Sequence, residues 1–259
     1  MKDKKAQIRE LEDIISNKRI YPVFQPIVDL GSGHIFAYEA LSRILGGTSM
    51  SIGELFSLAC KCRKVWELEA VCRRKALKQA VYMPTGKKLF LNVDPNVILD
   101  SKFRSGTTRH MMQKYGLTPD DVVFEVTERT RIKREETFTE TVNHYRDEEF
   151  HIAIDDFGAE FAGMNRVCLL HPEYIKLDIE LIKDIDSNEY QRSFVKHFAD
   201  FCKENGIKLV AEGIETQAEL ETAAGIGVTY GQGYYLYPPG VHFVEKKQYV
   251  NVDRWHEDE

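Results

Sequence analysis

Six polar residues in this chain stand where short apolar runs stop: Glu39 in "AYEALSR", Asn92 in "LFLNVDP", Glu125 in "VVFEVTE", Asp155 in "HIAIDDFG", Lys176 in "YIKLD" and Glu212 in "LVAEGIE". A hydrophobic core would choose none of them, because an unpaired buried charge is costly. Brought to one place, the carboxylates would repel and desolvate one another unless something positive joined them. The ligand set is all oxygen, without His or Cys, which suits Mg²⁺ or Mn²⁺ and disfavours zinc. The eight histidines are scattered with no HExxH spacing, and the five cysteines (Cys60, Cys62, Cys72, Cys168, Cys202) form no CxxC pair. Each polar residue has an ordinary reading of its own, as a solvated loop carboxylate or a helix N-cap. All six falling at strand ends together is much harder to assign to coincidence.

Asp156 raises a sharper question, because neighbours on a strand point to opposite faces. Asp155 shares its face with His151 and Ala153, directed inward, while Ile152 and Ile154 point outward to helices. An Asp-Asp-x-Gly stretch is also common turn punctuation. Gly158 permits a turn that swings Asp156 over the mouth beside Asp155, where adjacent carboxylates can bridge or share two metal ions.

The elements that would carry these residues alternate. Short β-rich runs lie near 21–27, 35–40, 88–93, 121–126, 150–155, 173–178, 207–212 and 227–231. Helical patterns fill 53–82, 107–115, 131–147, 188–205 and 216–225. Such alternation implies a mainly parallel sheet, and eight strands imply closure. The turn "DLGSGH" is too short for a parallel crossover, so the first two strands pair antiparallel. The expected fold is α/β, a modified TIM-like (β/α)8 barrel with one antiparallel strand. In such a barrel the C-terminal strand ends form the mouth where sites are built. Residues 1–19 read as an amphipathic helix or linker with Ile8, Leu11, Ile14 and Ile15 on one side, residues 20–240 as the barrel, and 241–259 as a tail of no assigned structure. Cys62 falls on the stripe of the 53–82 helix with Leu55, Leu58, Ala59 and Trp66, as a small buried thiol in a reducing cytoplasm.

Composition narrows the class further. Hydrophobic residues make up 43% and charged residues 29%, as in an ordinary globular protein. The net charge of −6 argues against binding a nucleic-acid polymer or an anionic membrane. An anionic substrate would need a local cation to reverse that field. The N-terminus has no apolar h-region, and no run approaches the length of a membrane span, so a cytoplasmic protein is expected.

Further motifs join these strand ends: "FQPIV" from Phe24 to Val28, "EALSR", "NVDP", "FEVTE", "IDDFG", "IKLD", "AEGIE" and "GQGYYLYPP", in that order. Together they resemble the EAL family of bacterial signalling enzymes, the cyclic di-GMP phosphodiesterases, over roughly residues 20–240. The resemblance implies hydrolysis of cyclic di-GMP to linear pGpG with two ions of Mg²⁺ or Mn²⁺. It implies that Glu39, Asn92, Glu125 and Asp155 hold one ion, and Asp155 with Asp156 the other. Glu212 would contact a metal directly or through water, and Lys176 would orient the attacking water or offset phosphate charge. Asp178 shares the strand face of Lys176 and would hold its ammonium. Gln25, Leu41, Arg43, Gln232 and Pro238 would contact the dinucleotide, and Glu128 and Glu215 would support loops or the metal shell. A homodimer is implied as well. The chain departs from the family at Glu160, where a glycine usually follows DDFG, which points to reduced activity. Two other readings stay open: a non-catalytic or weakly active cyclic di-GMP receptor, and a metal-dependent barrel enzyme acting on sugar phosphates. Gly231-x-Gly233 is only a weak phosphate-loop signal for the latter.

Overall fold

A computed structural model of the chain describes residues 4–48, 50–127, 135–159 and 163–245. Eight strands close into a barrel in sequence order: β1 Ile20–Asp29, β2 Ile35–Ile44, β3 Lys88–Val93, β4 Val122–Thr127, β5 His151–Phe157, β6 Tyr174–Leu177, β7 Lys208–Ala211 and β8 Tyr230–Gly231. β1 runs antiparallel to both β2 and β8, and every other pairing is parallel. The expected modified TIM barrel and its reversed strand are therefore what the chain forms.

The helices are α1 Lys4–Ser16, α2 Ile52–Lys61, α3 Val65–Gln79, α4 Thr107–Gln113, α5 Glu135–Asp147, α6 Gly163–Leu170, α7 Ile179–Ile182, α8 Glu189–Glu204 and α9 Gln217–Gly225. Capping boxes start α2 (Ser51 with Glu54) and α9 (Thr216 with Glu219), satisfying backbone N–H groups that the first turn leaves without partners. The single helix expected over 53–82 is two. The chain breaks at Arg63, which takes φ 56° in the left-handed region, and Cys62 caps α2 rather than continuing its stripe. Trp66 consequently opens α3 and packs with the main core. The short helices α6 and α7 have no counterpart among the sequence-read elements.

Two cores hold the strands. Outward-facing residues such as Phe124, Ile152 and Ile154 pack under the helices, and inward-facing ones fill the barrel. α1 docks rather than trailing as a linker: Leu11 and Ile14 are fully buried with Leu55, Leu58 and Leu68. Part of the tail also has a place. Gly240 exchanges two backbone hydrogen bonds with Phe24, Phe243 stacks on Phe24 at 4.2 Å, and the Tyr38 hydroxyl donates to the Val244 carbonyl at 2.6 Å.

Candidate metal and substrate cleft

The barrel interior has two tiers. The lower tier is apolar: Ile27, Ala37, Phe90, Val123, Ala153, Tyr174, Val210 and Tyr230, one from each strand. Two residues nearer the mouth stand Gln25, Glu39, Asn92, Glu125, Asp155 and Lys176 on β1 to β6, with Glu212 and Gln232 one residue past the ends of β7 and β8. Alternation on a strand makes i and i+2 share a face, so each apolar plug has a polar residue directly above it. Strand tilt brings them level: Glu39 pairs in register with Phe90, yet its side chain meets that of Asn92.

Lys176 sits at the centre, only 1% exposed. Its Nζ lies 2.7 Å from Glu125 Oε1, 2.7 Å from Glu212 Oε1, and 3.2 Å from both Glu39 Oε2 and Asp155 Oδ1. Asn92 Nδ2 donates to Glu39 Oε1 at 2.9 Å and Glu125 Oε2 at 3.1 Å. Gln232 Nε2 donates to Glu39 Oε2 at 2.7 Å and to Gln25 Oε1 at 3.0 Å, and Gln25 in turn donates to the Tyr237 carbonyl. Gly233 makes this seat possible, since a Cβ there would fall 2.1 Å from the Ile214 carbonyl oxygen. The ammonium expected to rest on Asp178 is thus ringed by four other carboxylates. Asp178 itself begins α7, where its side chain accepts the Glu180 N–H.

Asp156 reaches the mouth by a different device from the one expected. Ile154 pairs with Ile175 and Phe157 with Leu177, so Asp155 and Asp156 together oppose Lys176 alone. This is a β-bulge, with Asp156 at φ 57°. The extra residue shifts the alternation: Asp155 and Asp156 both serve the mouth, and Phe157 turns out to stack on Phe198 at 4.5 Å. Thr127 Oγ1 donates to Asp156 Oδ2 at 2.9 Å. Gly158 follows the bulge and lies against Leu181, whose Cδ1 would be 2.4 Å from an added Cβ.

Electrostatics divides the carboxylates. Burial raises Glu125 well above the ordinary carboxylate range, reinforced by the charge on Glu39. Burial likewise pushes Glu212 up to about 8. Burial also opposes ionisation of Glu39, but Lys176, Gln232 and Asn92 outweigh it and hold its carboxyl below the usual value. Lys176 is desolvated, yet Asp155, Glu125, Glu212 and Glu39 raise its pKa well above the ordinary one. The tier is rich in acceptors and has one buried cation.

These residues suit a hard divalent cation. One oxygen each from Asp155, Asp156 and Glu212 lie within 4.8 Å of one another. Glu125 Oε1 and Asp155 Oδ1 are buried and accept no well-aligned hydrogen bond, although Lys176 Nζ is near both. Such oxygens are ready ligands for an ion that prefers oxygen donors.

The tier forms the floor of a cleft of about 870 Å³. Gln25, Leu41, Arg43, Glu215 and Gln232 line it, as do Glu39, Asn92, Asp155, Asp156 and Glu212. Glu125 and Lys176 lie beneath, almost without exposure. Pro238 is exposed and stands apart from the lining residues. Glu128 and Glu160 lie outside the described residues. Sequence reasoning missed Thr127, which holds Asp156, and the Glu69–Arg73 pair in the cleft wall. Thr127 lay in the "EVTE" motif two residues past Glu125, on the same inner face. That spacing was the available signal.

The family model described as the EAL domain matches residues 8–239. The probable cyclic di-GMP phosphodiesterase PdeG of Escherichia coli (strain K12) is 27% identical over 242 residues, 88% of this chain and 46% of its own length. This chain therefore spans about half of that curated relative. Klebsiella pneumoniae BlrP1, solved with calcium and cyclic di-GMP, aligns with TM-score 0.79 and 27% identity over 88% of this chain and 58% of its own. A standalone EAL protein from Vibrio cholerae O395, solved in its cyclic di-GMP-bound form, gives 0.76 and 30% over 90% and 95%.

Proposed function

The chain belongs to the EAL domain family, and from that premise we propose that it is a divalent-metal-dependent phosphodiesterase that hydrolyses cyclic di-GMP to linear pGpG. The observation that carries the reading is the polar tier, in which each strand from β2 to β7 brings a carboxylate, an amide or an ammonium, on the strand or just past its end, to one cleft floor. Glu39, Asn92, Glu125 and Asp155 would hold one Mg²⁺ or Mn²⁺, and Asp155 with Asp156 a second. Such an ion polarises a phosphoryl oxygen and lowers the pKa of a bound water.

The chain's own groups account for the remaining work. Lys176 is a fixed cation beneath the acidic floor, offsetting the repulsion that a phosphodiester would meet there. Arg43 and Leu41 on the cleft wall would hold the dinucleotide. Glu212 lies on the cleft side, where burial raises its pKa to about 8; a bound divalent ion would favour its ionised form, which would then serve as a proton acceptor for the attacking water. Water adds to phosphorus and its proton passes to that carboxylate; the bond from phosphorus to the 3′ oxygen breaks, and that oxygen takes up a proton from solvent to leave as the 3′ hydroxyl. The ring opens with a 5′ phosphate retained.

Purified protein incubated with cyclic di-GMP and Mn²⁺ should yield pGpG. Glu39→Ala should keep the fold by circular dichroism and lose turnover by roughly 100-fold or more, since it removes a ligand and a Lys176 partner together. Wild-type turnover in Glu39→Ala at saturating metal would refute the site. Binding of cyclic di-GMP without pGpG would identify a receptor instead.

A further inference from the structure

Beside Asn92, the cleft wall contains a buried ion pair that the reading above leaves unused. Glu69 and Arg73 lie one turn apart on α3, each 3% exposed. Arg73 Nη2 donates to Glu69 Oε2 at 2.8 Å, and Arg73 Nη1 to Thr108 Oγ1 on α4 at 2.6 Å. The other Glu69 oxygen accepts the backbone N–H of Asp94 at 2.6 Å. Asp94 is the residue immediately past β3, two beyond Asn92. The Arg73 guanidinium also lies 4.8 Å from the centroid of Phe124, which directly precedes Glu125 on β4. Asn92 and Glu125 are partners across those two strands, both in register and through a 3.1 Å hydrogen bond.

A buried ion pair is an expensive way to pack a helix, because apolar residues of similar volume usually stabilise as well or better. What it adds is direction. A hydrogen bond to the Asp94 N–H fixes one peptide group in space, whereas a methyl contact would tolerate sliding. Metal ligands depend on such support, and loss of a supporting partner typically costs 10- to 100-fold in metal affinity or activity. We propose that Glu69 and Arg73 are positioning residues, a clamp that ties the ends of β3 and β4 to α3 and so fixes Asn92 and Glu125 for the divalent ion. The proposal rests on the metal-site reading above.

The test separates the clamp from ordinary packing. A Glu69→Leu/Arg73→Met double variant removes both charges and keeps the volume. Calorimetric Mn²⁺ titration without nucleotide should show affinity weaker by about tenfold or more. Turnover should fall in kcat, with KM for cyclic di-GMP within about twofold. Thermal melting of the metal-free double variant should match that of the wild type. Unchanged Mn²⁺ affinity in the folded double variant overturns the clamp and leaves the phosphodiesterase reading intact. A wild type that binds no Mn²⁺ overturns the metal site itself, and the clamp with it. Should the double variant fail to fold, Glu69→Gln decides, since it keeps the Asp94 hydrogen bond and weakens only the Arg73 contact. That variant should retain the wild-type KM and lose Mn²⁺ affinity by about threefold, and wild-type affinity there would refute the clamp.

Discussion

The two tiers of the barrel interior share strands, direction and enclosure, yet they differ in almost every chemical respect. Val123 and Glu125, both 0% exposed, lie on one face of β4 about 7 Å apart along the strand. Below are eight side chains packed as an apolar and aromatic plug, with Phe36 stacked on Tyr230 at 4.1 Å and Tyr174 edge-on to Phe90 at 5.2 Å. Above is a polar network organised around one ammonium. The lower tier stabilises by removing apolar surface from water. The upper tier gives up that gain and sets charges close enough to require a cation. A single strand repeat thus separates the apolar packing from the charged groups.

The strongest challenge to this division is to carry the chemistry one step down. Val123→Asp would bury a carboxylate among Phe90, Ala153 and Tyr174, with Lys176 already shared by four carboxylates above. Destabilisation of roughly 4 kcal/mol or more is expected, visible as a collapse of the chemical-denaturation midpoint. A variant as stable as the wild type would mean that the lower tier is not the structural half.

The converse change removes the upper tier's only cation. Lys176→Met leaves Glu39, Glu125, Asp155 and Glu212 without their common partner, and the metal-free protein should lose about 3–5 kcal/mol. Linkage then predicts rescue: a divalent ion that binds only the folded state should restore much of the loss. Melting curves in chelator and in Mn²⁺ measure both arms. Destabilisation that Mn²⁺ leaves untouched would show that the tier is a lysine-centred structural network and not a cation site.

The same contrast explains what could be read from the chain alone. The strands were legible because a mainly parallel barrel is bounded by apolar runs, and six of the eight upper-tier residues were legible because they interrupt those runs at the same step, whereas Gln25 and Gln232 entered only through the family resemblance. What escaped were features that local pattern does not encode. Arg63 breaks a helix in a left-handed conformation that glycine would have advertised. The Asp155–Asp156 bulge depends on β6 offering one residue against two, which only the pairing reveals. Glu69 and Arg73 have the i,i+4 spacing of an exposed helix pair, and only the packing of α3 against the barrel shows them buried. Asp178 was read by strand parity, but the strand ends at Leu177 and the aspartate caps a helix.

The smallest effect divides the upper tier itself. Glu39 is held below the usual carboxylate range by Lys176 and its amide donors, so it is already ionised at neutral pH and releases no proton to a metal. Glu125 and Glu212 are both raised by burial, and Glu212, at about 8, is largely protonated at neutral pH in the metal-free protein. A carboxylate must lose its proton to ligate, so the metal-bound state carries fewer protons than the free one. Raising the pH therefore favours the bound state, and Mn²⁺ affinity should climb with pH and level off above about 8 for the Glu212 step. One released proton gives about a tenfold gain per pH unit below that point, and two give a steeper rise. Between pH 6.5 and 7.5 the Kd for Mn²⁺ should fall by roughly tenfold or more, with matching proton release in buffers of different ionisation enthalpy. Glu212→Gln should remove one proton from that release and flatten the slope by about one. An affinity independent of pH across this window would mean that Glu212 is ionised before the metal arrives, erasing its distinction from Glu39.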